Sequence, residues 1–283
     1  MRSMNIAATG MLAQQLNVEV ISNNIANMST TGFKRQRAEF QDLLYQNLER
    51  PGASTSDAGN IDPTGVQVGY GVKTGSVYRI TEQGPMTRTD NHYDIGINGR
   101  GYFQVLMPDG RTAYTRAGNF SSSPTGQIVT EDGYVVQPEI QIPENALDFS
   151  ISASGNVQAL LPGQTAPQDL GQLTLATFVN PAGLEALGDN LLVETAGSGP
   201  ATVGNPGSTG FGSLNQNYVE ASNVNPVTEI SALIMAQRAY EMKSKVINAT
   251  DEMMQNTSQI LSCKSDAKGF GVWGLGFGVW GLG

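Results

Sequence analysis

The chain has 283 residues, with 25 Asp and Glu against 16 Lys and Arg, a formal charge of -9 and a pI near 4.6. That acidity, with no Lys/Arg run interleaved with aromatics, sets the chain against phosphate backbones and excludes nucleic acid as an expected partner. Charged residues make up only 14%, where about a quarter is usual, and glycine reaches 34, a composition suited to a surface that packs against neighbours.

The length allows one large domain or two to three smaller ones. Residues 1–10 lack a basic stretch followed by a continuous apolar run and a cleavage site, which disfavours Sec-type secretion. No stretch approaches the roughly 20 consecutive apolar residues of a spanning helix, so integral membrane insertion is not expected. The lone cysteine, Cys263, forms no internal disulfide, and the fold does not depend on an oxidising compartment.

Residues 4–28 contain no proline and one glycine, Gly10. Met4, Met11, Val18 and Ile25 recur at intervals of seven, with Ala7, Ile21 and Met28 in the adjoining row, and predict a helix with a narrow apolar seam. Gln14 interrupts the second row, like the polar positions that fix register in helical assemblies. Residues 50–70 carry Pro51, Gly52, Gly59, Pro63 and Gly65 among Ser and Thr and read as an extended connector, as do 197–212.

Between these lie short alternating runs at 75–80, 93–98, 102–107 and 172–179 that predict strands. Pro108-Asp109-Gly110, Pro124-Thr125-Gly126 and Glu131-Asp132-Gly133 predict tight hairpin turns, so the middle should be mainly antiparallel β. After Pro226, with Thr228 available as a cap, Leu233, Tyr240, Ile247, Met254 and Leu261 again fall at intervals of seven and predict a second helix. Each seam is too narrow to stand alone, so the fold class expected is α+β: paired, coiled-coil-like N- and C-terminal helices with an inserted β domain.

Catalytic sites are scarce. His92 is the only histidine and Cys263 stands far from it in sequence, so neither a metal centre, a cofactor site nor a Ser-His-Asp or Cys-His scheme is expected. His92 reads as an exposed turn residue. Gly99-Arg100-Gly101 lacks the third glycine and following helix of a phosphate loop. Glu131 and Asp132 precede a turn glycine and read as solvated.

Ser22-Asn23-Asn24-Ile25-Ala26-Asn27, followed by Thr30-Thr31-Gly32-Phe33-Lys34, resembles the signature of the bacterial flagellar rod and hook axial proteins. Physically it is a helix exit, where Asn side chains compete for backbone groups and Gly32 is expected to take the left-handed conformation that ends the helix. Gly99-Arg100-Gly101-Tyr102-Phe103, Tyr114-Thr115-Arg116-Ala117-Gly118-Asn119-Phe120 and Glu220-Ala221-Ser222-Asn223-Val224-Asn225 leading to Gln237-Arg238-Ala239-Tyr240-Glu241 extend the resemblance over about residues 1–261 and narrow it to the distal-rod branch.

That resemblance implies a structural, non-enzymatic subunit exported by the flagellar type III apparatus. It would polymerise with itself into a rigid hollow shaft in the basal body, crossing the periplasm to the outer membrane. The partners implied are proximal rod proteins, the hook protein and the P-ring and L-ring proteins. The division expected is an inner-tube helix at 1–40, a connector at 41–72, a β-rich outer domain at 73–222, a second inner-tube helix at 223–261 and a flexible tail at 262–283. Met4, Met11, Val18, Ile21, Ile25, Leu233, Tyr240, Ile247, Met254 and Leu261 are the expected packing residues between subunits. The tail repeats Gly269-Phe270-Gly271-Val272-Trp273-Gly274-Leu275 in tandem, a departure from family members, which typically stop near Leu261. Alternatives are a proximal rod or hook subunit, a secreted β-rich adhesin or carbohydrate-binding module, and a muramidase, for which no carboxylate pair is evident.

Overall fold

The computed structural model describes residues 2–49, 64–143, 145–146, 148–163 and 166–269. Two long helices, α1 (Arg2–Ala26) and α2 (Pro226–Gly269), flank a region of short strands, giving an α+β chain. Its described parts fall into two compact units, one from Met1–Leu16, Phe40–Gly75 and Met235–Gly283, the other from Asn17–Glu39 and Ser76–Ile234.

The second unit holds the main core. A seven-stranded sheet runs in the order Glu185–Gly188, Leu191–Val193, Thr112–Thr115, Phe103–Leu106, Val135–Gln137, Ile128–Val129 and Ser121–Ser122, each neighbour antiparallel. Its hairpins close where the turn signals stand: Gly110, Gly126 and Gly133 each donate their N–H back to the residue three before, with φ of 82°, 79° and 85°. Such φ values are open to glycine at little cost. A meander of Asp148–Ile151, Asn156–Leu160 and Gln168–Gln172 alternates exposed and buried positions and turns Phe149, Ile151, Val157 and Ala159 into the same core. Ile95, Phe103, Phe120 and Leu175 complete it, Phe103 and Phe120 meeting edge to face at 5.0 Å. Each large side chain buried there contributes about 1.5–3 kcal/mol.

In the first unit, Tyr45–Glu49 pairs with Val66–Gly69 in an antiparallel ladder. The reading of 41–72 as an extended connector therefore needs correction over these residues, because the alternating pattern continues on both sides of the Pro/Gly-rich stretch; residues 50–63 lie outside the described residues. The reading of 197–212 is corrected likewise, since Thr202–Gly204 pairs with Leu175–Thr177.

Within α1 the buried row is Ala7, Gly10, Ala13, Val20, Ile21 and Asn24, while Met4, Met11, Val18 and Ile25 are half-buried. Small residues let neighbours approach: a Cβ on Gly10 would lie 3.1 Å from Lys243 Nζ, which donates to Gly10 O at 2.8 Å. Helix α2 starts at a different cap from the one expected. Asn225 Oδ1 accepts from Val227 N at 3.0 Å and Thr228 N at 3.4 Å, with Pro226 at the first helical position, while the Thr228 hydroxyl donates to Asn225 O. Its backbone stays helical through Gly269, eight residues past Leu261, so 262–269 are not the flexible segment expected; residues 270–283 of the expected tail lie outside the described residues. No described helix is long and apolar enough to cross a membrane.

Candidate functional site

The motif segments that stand far apart in sequence converge in the second unit on two buried carboxylates, Glu220 and Glu229, exposed by 1% and 0%. The N-terminal signature supplies the first side of the site. Helix α1 stops at Ala26, where Asn27 Nδ2 donates to Asn23 O and Oδ1, both at 2.9 Å, and Thr30 N donates to Asn27 O. Gly32, at φ 70°, closes the turn that follows the helix rather than the helix itself. A Cβ there would stand 2.7 Å from Ala117 N, so the turn seats against the Tyr114–Phe120 motif only because residue 32 has none. Gly32 N then donates to Glu220 O at 2.7 Å, which delivers Lys34, Arg35 and Gln36 to the carboxylates.

Glu220 Oε1 accepts from Lys34 Nζ at 2.5 Å and from Gly84 N at 2.8 Å, and its Oε2 accepts from Arg116 Nε at 2.5 Å. Arg116 is held in a cage of carbonyls: Nη1 donates to Gly101 O, and Nη2 to Gly99 O and Ile97 O. Gly99 and Gly101, at φ 111° and 143°, shape that loop, so the Gly-Arg-Gly segment serves to grip a guanidinium. The Lys34 ammonium also donates to Glu82 O at 2.8 Å.

Burial pushes the Glu220 carboxyl upward, but the Arg116 and Lys34 charges and hydrogen bonds overcome it and hold its pKa below the ordinary carboxylate value. Lys34 is shifted below the usual lysine value by burial, which outweighs its bond to Glu220.

Glu229, in the first turn of α2, accepts from Arg35 Nε at 2.6 Å and from Asn24 Nδ2 at 3.1 Å. Asn24 makes a two-way bond with the Gln36 backbone, its Nδ2 donating to Gln36 O and its Oδ1 accepting from Gln36 N, both at 2.8 Å. Asn223 adds a parallel tie, accepting from Arg35 N at 2.7 Å and donating to Ile80 O and Glu82 O. The carboxylates are thus occupied by internal donors, and the arrangement fastens the exit of α1 and the start of α2 to the β region within the second unit. A buried ion pair is weak evidence of net stability, but it is strict about geometry, since removing one partner leaves an uncompensated charge.

Of the expected packing residues, Ile21 is buried, Leu233 and Ile247 are half-buried, and Tyr240 and Met254 stand 44% and 36% exposed; the Leu261 side chain lies outside the described residues. Among the family-motif residues, Asn24 and Lys34 reach the ion cluster, Asn23, Asn27 and Gly32 build the turn, and Ser22 is exposed. His92 sits exposed in a turn, its ring edge toward Phe149, and Glu131 accepts an exposed bond from Asn119. Among the described residues no three His, Cys, Asp or Glu side chains gather as metal ligands would. Sequence reasoning missed Glu220, Glu229 and Arg116 as a unit; the signal present was charge itself, Arg116 and Glu220 standing inside long motifs of a chain otherwise poor in it.

Comparison with known proteins gives three family models in succession. Flagella basal body rod protein matches residues 4–34, flagellar hook protein FlgE/F/G D1 domain matches 96–159, and flagellar basal body rod FlgEFG protein C-terminal matches 215–260. The chain is 66% identical to flagellar basal-body rod protein FlgG of Caulobacter vibrioides, covering 93% of this chain and 100% of that one. It is 49% identical to FlgG of Agrobacterium fabrum, covering 92% and 100%. Against flagellar basal-body rod protein FlgF of the same Caulobacter it is 32% identical, covering 86% and 91%.

Proposed function

The chain belongs to the flagellar basal-body rod protein family, and from that premise we propose that it is the distal-rod subunit, a structural protein that assembles with copies of itself into a stiff hollow shaft. The observation that carries the choice is the contrast within one organism: 66% identity to the FlgG protein of Caulobacter against 32% to its FlgF. A protein of the second kind, a proximal rod subunit or a hook subunit would not give that contrast.

In this reading the shaft carries motor torque to the hook, crossing the periplasm through the P and L rings. Its neighbours are proximal rod proteins at one end and hook protein at the other, and it arrives by type III export. The two helices form the inner tube in a coiled-coil-like pairing, with 73–222 as the outer domain. Met4, Met11, Val18, Ile21 and Ile25 on α1, and Leu233, Tyr240, Ile247, Met254 and Leu261 on α2, pack between subunits. The exposure of Tyr240 and Met254, and of Met235, Met242 and Met253 beside them, supports this, because a long helix with apolar side chains in water calls for partners. The stretch 45–71, whose Tyr45, Leu48 and Tyr70 are also exposed, bridges neighbouring subunits.

Electron microscopy of basal bodies from cells lacking the gene tests the assignment. The expected result is loss of the outer rod and hook with the inner rod and motor ring retained; intact basal bodies would overturn it.

A further inference from the structure

Arg79 is a half-buried cation that lacks a carboxylate. Its Nη1 donates to Leu184 O at 3.0 Å, and no acidic side chain among the described residues forms an ion pair with it. Burial lowers its pKa from the ordinary guanidinium value, opposed only by the phenol of Tyr102. A guanidinium has five N–H donors, and among the described residues only Nη1 of Arg79 has an acceptor, Leu184 O.

A cavity of about 220 Å³ opens beside it, lined among others by Lys34, Arg79, Tyr102, Arg116, Asp189 and Asn190. A second cavity of about 220 Å³ shares Lys34, Tyr102 and Arg116 and adds Arg100. Four cations therefore border this space, and the buried acid among them, Glu220, is already saturated by Lys34, Arg116 and Gly84 N. Asp189 on the rim makes no ion pair among the described residues. Arg116 spends its donors on Glu220 and three carbonyls and contributes charge, whereas Arg79 contributes both charge and open donors.

We propose that this pocket receives a carboxylate side chain from a second copy of the chain, gripped by Arg79. An anion entering it meets a partly desolvated guanidinium, where charge-assisted bonds are about twice as strong as neutral ones and a bidentate fork fixes orientation. The second copy is the occupant favoured by charge: with 25 acidic against 16 basic residues, copies packed side by side repel unless acids of one meet cations of the next. The inference rests on the rod-subunit reading and goes beyond it by naming a polar contact between subunits.

The test uses cells lacking the gene and carrying wild type, Arg79→Lys, Arg79→Gln or Arg79→Glu. Rods are counted in electron micrographs and the purified chains are melted. Wild type restoring no rods would sink the rod-subunit reading itself, apart from this proposal. With rods restored, Arg79→Glu is expected to lower rod number about tenfold or more while the chain melts as wild type, Arg79→Lys retaining part. Motile revertants of Arg79→Glu should carry Lys or Arg in place of an Asp or Glu elsewhere in this same chain. Should Arg79→Glu melt early, Arg79→Gln, which keeps a donor for Leu184 O, is read in its place. Wild-type rods from the variant read, or revertants confined to position 79 or to other genes, would overturn the proposal.

Discussion

Asn24 Nδ2 lies 3.1 Å from Glu229 Oε2, a contact that closes across 205 residues of chain and joins the exit of α1 to the first turn of α2. Asn24 is 1% exposed and also satisfies both backbone groups of Gln36. A leucine, of the same branching but with no polar atom, would leave those two groups and one carboxylate oxygen without the partners they have here. At about 1–3 kcal/mol for each buried unsatisfied group, Asn24→Leu should cost about 3 kcal/mol or more in urea unfolding of the purified chain. A loss below about 1 kcal/mol would show that the contact does not fasten the exit of α1 to the start of α2.

The Glu220 cluster sets a pH limit. Its pKa is depressed in the folded chain, so the group contributes stability above its unfolded value, about 4.3, and loses that contribution as pH falls through the lower folded value. Stability of the wild type should drop below about pH 4. Glu220→Gln should be less stable at pH 7, because Lys34 and Arg116 are left buried with one carboxylate fewer, yet should show a flatter acid limb. Equal acid limbs in the two proteins would assign the acid sensitivity elsewhere.

Glycine positions separate space from backbone conformation. A Cβ on Gly118 would fall 1.8 Å from Ile95 O, whereas one on Gly110 meets nothing within 4 Å and faces only the left-handed φ of 82°. Gly110→Ala should cost about 1 kcal/mol. Gly118→Ala must move backbone between the Ile95–Asn98 strand and the segment after Thr112–Thr115 and should abolish the cooperative melt of the second unit; similar melting of the two variants would contradict the close approach.

What the sequence made legible follows from the range of each interaction. The turns at Gly110, Gly126 and Gly133 and the runs 93–98 and 102–107 are local, and the structure has turns and strands there. The bond from Lys34 to Glu220 spans 186 residues, and nothing in one sequence states which cation meets which acid. Asn225 and Thr228 both have side chains able to cap; Pro226, suited to the first helical position, places the cap at Asn225, a local signal that the choice of Thr228 passed over. The heptad rows on α1 were visible, and Ala7 and Ile21 of the adjoining row are buried; Gly10, Ala13, Val20 and Asn24, outside both rows, are buried beside them, Gly10 because its lack of a side chain permits the approach of Lys243. Seeking large apolar residues alone passes over Gly10, Ala13 and Asn24.

The exposed methionines of α2 make the assembly testable by pairs of variants. Met242 and Met235, seven residues apart on α2, are 61% and 70% exposed, while Ile247 is half-buried within its own chain. A charge at Met242 remains in water in the isolated chain and should leave its melting unchanged. In a lattice that buries the methionine, each subunit forgoes about 1.5–3 kcal/mol and carries a desolvated acid as well. Met242→Glu should therefore stop rod formation without destabilising the monomer, and Ile247→Asp, like Ile25→Asp, should impair both. Rods of normal length and strength from Met242→Glu would move the subunit interface off this face of α2, since a repeated contact multiplies any local cost along the whole shaft.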